Sequence, residues 1–111
     1  MNQELRIKNI LFIDTSDNKK IVVGLRIQGK EFKKERGVEK NRDQAALPLI
    51  DTLLKEHKIK LSDIHSIKVS IGPGSFTGLR VGMAIANALS FALEIPVNNK
   101  KIGEFVDGVY E

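Results

Sequence analysis

The 111-residue sequence predicts an α/β domain, a mixed five-stranded sheet in the order β-β-β-α-β-α-β with helices covering it. Three observations lead there. Three β-rich segments follow one another between residues 8 and 36, separated by turn-forming residues. The hydrophobic period then becomes helical over residues 44–57 and 75–93, with a short alternating segment between them. The length fits one domain and leaves little room for a second.

Residues 8–15, KNILFIDT, hold an apolar run ending in Asp14, which reads as a central strand. Ser16-Asp17-Asn18-Lys19 supplies a turn, because Asp and Asn bond their own backbone and tolerate left-handed dihedrals. Residues 20–28, KIVVGLRIQ, make a second strand and hence a hairpin. Gly29-Lys30 is the expected second turn, and Glu31 to Arg36 a polar third strand at a sheet edge. Its lysines suit an edge that must not pair with other chains.

From Gln44 to His57 the apolar residues Ala46, Leu47, Leu49, Ile50, Leu53 and Leu54 follow helical spacing. Asp43 is the expected N-cap, with Pro48 about one turn in. Leu61 to Ile64 connects to a fourth strand, SIKVSI at 66–71, which stops at Gly72-Pro73-Gly74. Residues 75–93 form the longest helix, roughly 28 Å at the standard rise. Ile95-Pro96-Val97 begins a fifth strand, and the tail from Lys101 to Glu111 is expected to fray. This order is shared by ribonuclease-H-like folds and by one lobe of the actin-like phosphotransferases, an analogy that carries no chemistry of its own.

The composition narrows the chemistry. Cysteine is absent, which removes disulfides, zinc-thiolate sites and thiol nucleophiles. No apolar run approaches the ~20 residues of a membrane span, and MNQELRIKN lacks a signal-peptide core, so a cytoplasmic protein without membrane contact is expected. Net charge is +4, carried unevenly: residues 1–60 hold 14 Lys/Arg against 9 Asp/Glu, residues 61–111 hold 4 against 5. Lys30, Lys33, Lys34, Arg36, Lys40 and Arg42 are dense, but Glu31, Glu35 and Glu39 interrupt them. A solvated strand pair is favoured over an RNA-binding arm, and any tRNA contact should be indirect or weak.

The segment Gly72-Pro73-Gly74-Ser75-Phe76-Thr77-Gly78-Leu79-Arg80 joins a strand to a helix, where backbone N–H groups can hold an anion. Gly72, Gly74, Ser75 and Thr77 form that candidate anion-binding turn. Both nucleotide fingerprints fail, since Gly78 is followed by Leu79-Arg80 rather than Lys-Ser/Thr, and Thr77 stands where a third glycine is required. The plainer explanation is a tight turn with Ser75 or Thr77 capping the helix, and it is favoured. Asp14 likewise reads as a turn former with Thr15 and Ser16, because no companion carboxylates or histidines match a metal site. His57 and His65 lack the short spacing of paired ligands, and no nucleophilic triad or carboxylate pair can be assembled.

The helix at 75–93 carries one charge, Arg80, although a helix on one face of a sheet should show a charged outer face. Gly78, Gly82, Ala86 and Ser90 form a small-residue stripe that lets another backbone approach closely. The stripe could pack on the domain's own sheet; the missing charged face favours a protein partner.

The string GPGSFTGLRVG at residues 72–82 closely resembles the signature of the TsaB (YeaZ) family, with ILFIDTS at 10–16 and LPLIDTLL at 47–54 in matching order. Where that family commonly shows His-Ser-Glu ahead of the Leu-Pro segment, this sequence has Arg42-Asp43-Gln44. The resemblance implies an actin-like ATPase fold and a non-catalytic paralogue of TsaD, in a pathway making N6-threonylcarbamoyladenosine at tRNA position 37. It implies a single N-terminal lobe over residues 1–111, with the second lobe absent. No cofactor is expected. It also implies a heterodimer with a TsaD-like transferase, with a TsaE-like ATPase assisting and a homodimer in isolation. The two helices would carry that interface, through Leu47, Ile50, Gly78, Leu79, Gly82, Met83 and Ala86. A small hydrolase or peptidase, and a self-associating binding module, are the alternatives.

Overall fold

A computed structural model describes residues 8–38 and 42–107. Lys40 and residues 108–111 lie outside them. The elements run β1 (Ile10–Asp14), β2 (Lys20–Ile27), β3 (Lys30–Gly37), α1 (Arg42–Glu56), β4 (Ser66–Val69) and α2 (Phe76–Leu93), with a 3-10 turn at Leu61–Asp63.

The sheet order is β3-β2-β1-β4. β1 runs antiparallel to β2 (Leu11 opposite Leu25) and parallel to β4 (Leu11 opposite Ile67). The β2–β3 hairpin closes at the pair Ile27 and Lys30, so its two turn residues are Gln28 and Gly29, one position earlier than expected. Both have positive φ, 51° and 81°, the mirror-image turn that matches strand twist. The polar β3 is an edge strand, as its lysines predicted.

Alternation sends Leu11, Ile13, Ile21, Val23, Leu25, Ile67 and Val69 to one face, where all are buried. Both helices cover that face, α1 over β2 and β3, α2 over β4 and β1, and they touch each other. α1 contributes Ala46, Ile50 and Leu53 to this core, and α2 contributes Leu79, Met83 and Ala86. The opposite sheet face carries the row Lys33, Gly24, Phe12 and Lys68, over which no helix lies among the described residues.

Four expectations are corrected. α1 begins at Arg42, so Asp43 lies in its first turn rather than at its cap. Pro48 falls in the second turn and removes a ladder hydrogen bond there. The sheet has four strands, because the fifth is reduced to one parallel bridge between Ile67 and Val97. Pro96 has no N–H for a longer ladder, and Asn98 and Asn99 take φ of 50° and 63°, turning the chain away. The tail, expected to fray, is fastened as far as Val106: the Asn87 amide donates to the Val106 carbonyl at 3.1 Å and accepts from its N–H at 3.0 Å.

Asn98 also closes the outer side of β4. Its side chain accepts from the Val69 N–H at 2.8 Å and donates to the Val69 carbonyl at 3.0 Å. Asn98→Ala is therefore expected to lower unfolding free energy by ~1–2 kcal/mol, read from urea melts. A loss near zero would show that water replaces the amide without penalty.

Candidate functional site

The chemistry-bearing loops follow the two parallel strands, β1 and β4. After β1, the Asp14 carboxylate accepts from the Ser16 N–H at 3.0 Å and the Ser16 hydroxyl at 2.6 Å. Asp14 is thus the turn former expected from its neighbours. After β4, Gly72 takes φ of +126°, open to glycine alone in practice. Gly74 lies against the β1 loop so closely that a Cβ would stand 2.6 Å from the Ser16 Cβ. The Ser75 N–H donates to the Ser16 carbonyl at 2.8 Å, and the Ser75 hydroxyl accepts from the Gly78 N–H at 3.2 Å, capping α2.

The candidate anion-binding residues Gly72, Gly74, Ser75 and Thr77 do meet at the start of α2. Ser75 serves there as the N-cap and, with Gly74, ties the two loops together. Only the Thr77 side chain among the last three stands well out toward solvent without such a tie.

Thr15, fully buried, sits between the glycines of the stripe. Its hydroxyl donates to the Gly78 carbonyl at 2.5 Å and accepts from the Gly82 N–H at 3.1 Å. These are the two groups that an ideal helix pairs with each other, so the hydroxyl bridges one rung of α2. A Cβ on Gly78 would lie 2.2 Å from the Thr15 carbonyl oxygen, and one on Gly82 2.3 Å from the Thr15 hydroxyl. The small-residue stripe therefore receives this chain's own β1 loop.

That placement corrects the expected interface. Ile50, Gly78, Leu79, Gly82, Met83 and Ala86 are buried inside the domain, and only Leu47, 50% exposed, remains at the surface. The side of α2 that faces outward is the one lined by Phe76, Arg80, Ala84, Ala88 and Phe91, with Arg80 its single charge. Phe76 and Phe91 are 53% and 73% exposed. Over its 18 residues α2 has a mean hydropathy of 1.4, enough by length and composition for a membrane span, contrary to the reading from apolar runs. Its packing on Thr15 and the sheet makes it a sheet-covering helix with an apolar outer side.

The basic first half is partly compensated. Lys20 pairs with Glu35 at 3.5 Å, Lys34 with Glu56 at 2.8 Å, and Arg26 with Glu31. The Arg26 guanidinium holds the Glu31 carboxyl below the usual carboxylate range. The histidines are occupied structurally: His65 Nδ1 accepts from the Asn9 N–H at 2.8 Å, and His57 packs on the Phe32 ring. No group of three potential metal ligands exists among the described residues.

Thr15 is the residue that sequence reasoning missed. Its hydroxyl reaches glycines 63 and 67 positions away, a pairing that no local pattern reveals. The four-residue glycine spacing signals a close approach without saying what approaches.

Known proteins bear on this geometry. Residues 28–99 match a family model described as TsaD, tRNA N6-adenosine threonylcarbamoyltransferase. The chain is 32% identical over 90 residues to the tRNA threonylcarbamoyladenosine biosynthesis protein TsaB of Buchnera aphidicola subsp. Baizongia pistaciae, covering 81% of this chain and 40% of that protein. It is 36% identical over 96 residues to the TsaB protein of Buchnera aphidicola subsp. Schizaphis graminum, covering 79% and 41%. Among solved structures, YeaZ from Pseudomonas aeruginosa superposes with a TM-score of 0.79 at 30% identity, over 86% of this chain and 44% of that one. The chain thus spans about two fifths of the length of these curated relatives.

Proposed function

The chain belongs to the TsaB (YeaZ) branch of the family described as TsaD, tRNA N6-adenosine threonylcarbamoyltransferase, and we propose that it is a non-catalytic docking subunit for a TsaD-like transferase in tRNA threonylcarbamoyladenosine biosynthesis. The observation that carries the reading is the outward face of α2. The inner side of this helix covers the sheet, while its outer side leaves Phe76 and Phe91 largely exposed beside the exposed Ala84 and Ala88. Exposed apolar surface of that kind marks association.

The loops support a scaffolding role. Asp14, Thr15 and Ser75, the groups nearest to chemistry at the strand ends, engage one another's loops and the start of α2. Contact with tRNA is indirect in this reading, since Glu31, Glu35 and Glu56 offset the cations around β3. A TsaE-like ATPase would join through the transferase.

The test is calorimetric titration of the chain with the TsaD-like transferase of its own organism, with sedimentation to count subunits. A one-to-one complex in the micromolar range or tighter is expected, with no hydrolase turnover by the chain alone. Failure of the two to associate, or sustained peptide hydrolysis abolished by Asp14→Ala, would overturn the reading.

A further inference from the structure

The sheet face turned away from both helices is patterned strand by strand. The edge strands are polar there, with Glu31, Lys33 and Glu35 on β3 and Ser66 and Lys68 on β4. The central strands are not. Ile10 and Phe12 of β1 join Gly24 and Val22 of β2 in an oblique apolar stripe, closed at its ends by Arg26 and Asp14. A sheet face meant for water carries polar residues at its outward positions, central strands included. Phe12, Val22 and Gly24 instead floor an open groove of about 440 Å³, with Lys33 on one side and Lys68 on the other. Gly24 leaves a notch in that floor, because a Cβ there would stand 3.5 Å from the Phe12 Cβ and 3.7 Å from the Lys33 Cγ. A glycine inside a strand commonly marks the close approach of another backbone.

The acids of this face are already engaged. Glu35 pairs with Lys20 at 3.5 Å, and Glu31 with Arg26, whose guanidinium lies 5.7 Å from the Phe12 ring centroid. Asp14 is held by Ser16. Lys33 and Lys68 have no carboxylate at ion-pair distance among the described residues, and Lys68 donates only to the Asn99 side-chain oxygen at 3.4 Å. The two lysines share one row across the sheet, three strand spacings or about 14 Å apart. An α-helix is about 10–12 Å across, so one helix laid along the stripe fits between them. Its flanks would then lie beside the two ammonium groups.

We propose that this face docks one amphipathic α-helix of a partner protein, with small residues toward Gly24 and a carboxylate on each flank for Lys33 and Lys68. The apolar stripe supplies the affinity, and the two rim lysines choose an acid-flanked helix over a basic one. Nucleic acid suits the face less well. Asp14, Glu31 and Glu35 point the same way as the lysines, and Phe12 is the single aromatic of the stripe. The proposal is independent of any role of α2, which packs on the other side of the sheet.

The experiment titrates the full chain with two helical peptides of about 18 residues that share one Ala/Leu stripe. One carries Glu on both flanks of the stripe and the other Lys, and backbone amide NMR spectra report where each binds. The Glu-flanked peptide is expected to bind at least tenfold tighter, moving amides of β1 and β2 ahead of those of α2. Lys33→Glu combined with Lys68→Glu is expected to invert that preference, and Val22→Lys to weaken both peptides at least tenfold. Lys33 is exposed, and Val22 and Lys68 are partly exposed, so melts matching the parent are expected. The peptide comparison on the unaltered chain decides the matter even where a variant melts early. Equal affinity for the two peptides, binding of neither, or shifts confined to α2 would overturn the proposal. So would a preference unmoved by the double charge reversal, affinity unchanged by Val22→Lys, or an oligouridylate bound tighter than the Glu-flanked peptide.

Discussion

Gly82→Leu is expected to unfold the domain rather than to detach it from a partner. The smallest possible side chain at this position would already stand 2.3 Å from the Thr15 hydroxyl, where real Cβ atoms essentially never come within 3.0 Å. Leucine extends that clash by three more carbons toward the fully buried Thr15. The β1 loop cannot step back cheaply, because Ser16 bonds Asp14 on one side and receives the Ser75 N–H on the other. Overpacking of this kind costs ~1–3 kcal/mol, and expelling the hydroxyl leaves its two hydrogen bonds unmade at ~1–3 kcal/mol more. A total of ~2–6 kcal/mol is a large part of the ~5–15 kcal/mol that holds a domain folded.

Gly78→Ala provides the control, because its new methyl would meet a backbone carbonyl oxygen at 2.2 Å, which no rotamer change relieves. Thr15→Ala should be milder, at ~1–2 kcal/mol, because Gly82 N–H and Gly78 C=O can then bond each other. Urea melts followed by circular dichroism rank the three. A Gly82→Leu variant that melts like the parent while losing its partner would return the stripe to the interface.

The inversion of this expectation shows where the sequence is informative. Strand and helix periodicity, the Ser75 cap and the Asp14 turn are local signals, carried by residues within one turn or one strand of each other, and the structure matches them. Glycine spacing on α2 is local too, but its cause is not: the atom that fits between Gly78 and Gly82 belongs to a threonine more than sixty residues earlier. The lost fifth strand has a similar origin. Ile95-Pro96-Val97 has strand composition, and only the parallel docking of Val97 on Ile67, followed by the Asn98 clamp on Val69, shows that pairing stops after one bridge. The scarcity of charge on α2 was the one global clue in the sequence. It singled out α2, and the buried side was taken for the exposed one because Gly78, Gly82 and Ala86 are as uncharged as the face opposite.

Ala84→Arg is expected to abolish association with a TsaD-like transferase while the chain stays folded. Ala84 is exposed near the centre of the outward face, one turn beyond Arg80 and beside Val81 and Ile85. Arginine is a good helix former, so the fold should lose only the few tenths of a kcal/mol due to a like charge four residues from Arg80. At the contact, the same change places a second bulky cation beside Arg80, where a groove had been. An unpaired buried charge of this kind typically costs more than the ~2.7 kcal/mol that makes a hundredfold loss of affinity. The paired variant is Ala86→Arg, two residues along the helix and fully buried, which should instead collapse the melt. Calorimetric titration and thermal melts on both separate the two sides of α2. A complex of parental affinity with Ala84→Arg would remove the outward face from the interface and leave half-exposed Leu47, on α1, as the remaining surface residue of those first expected to dock.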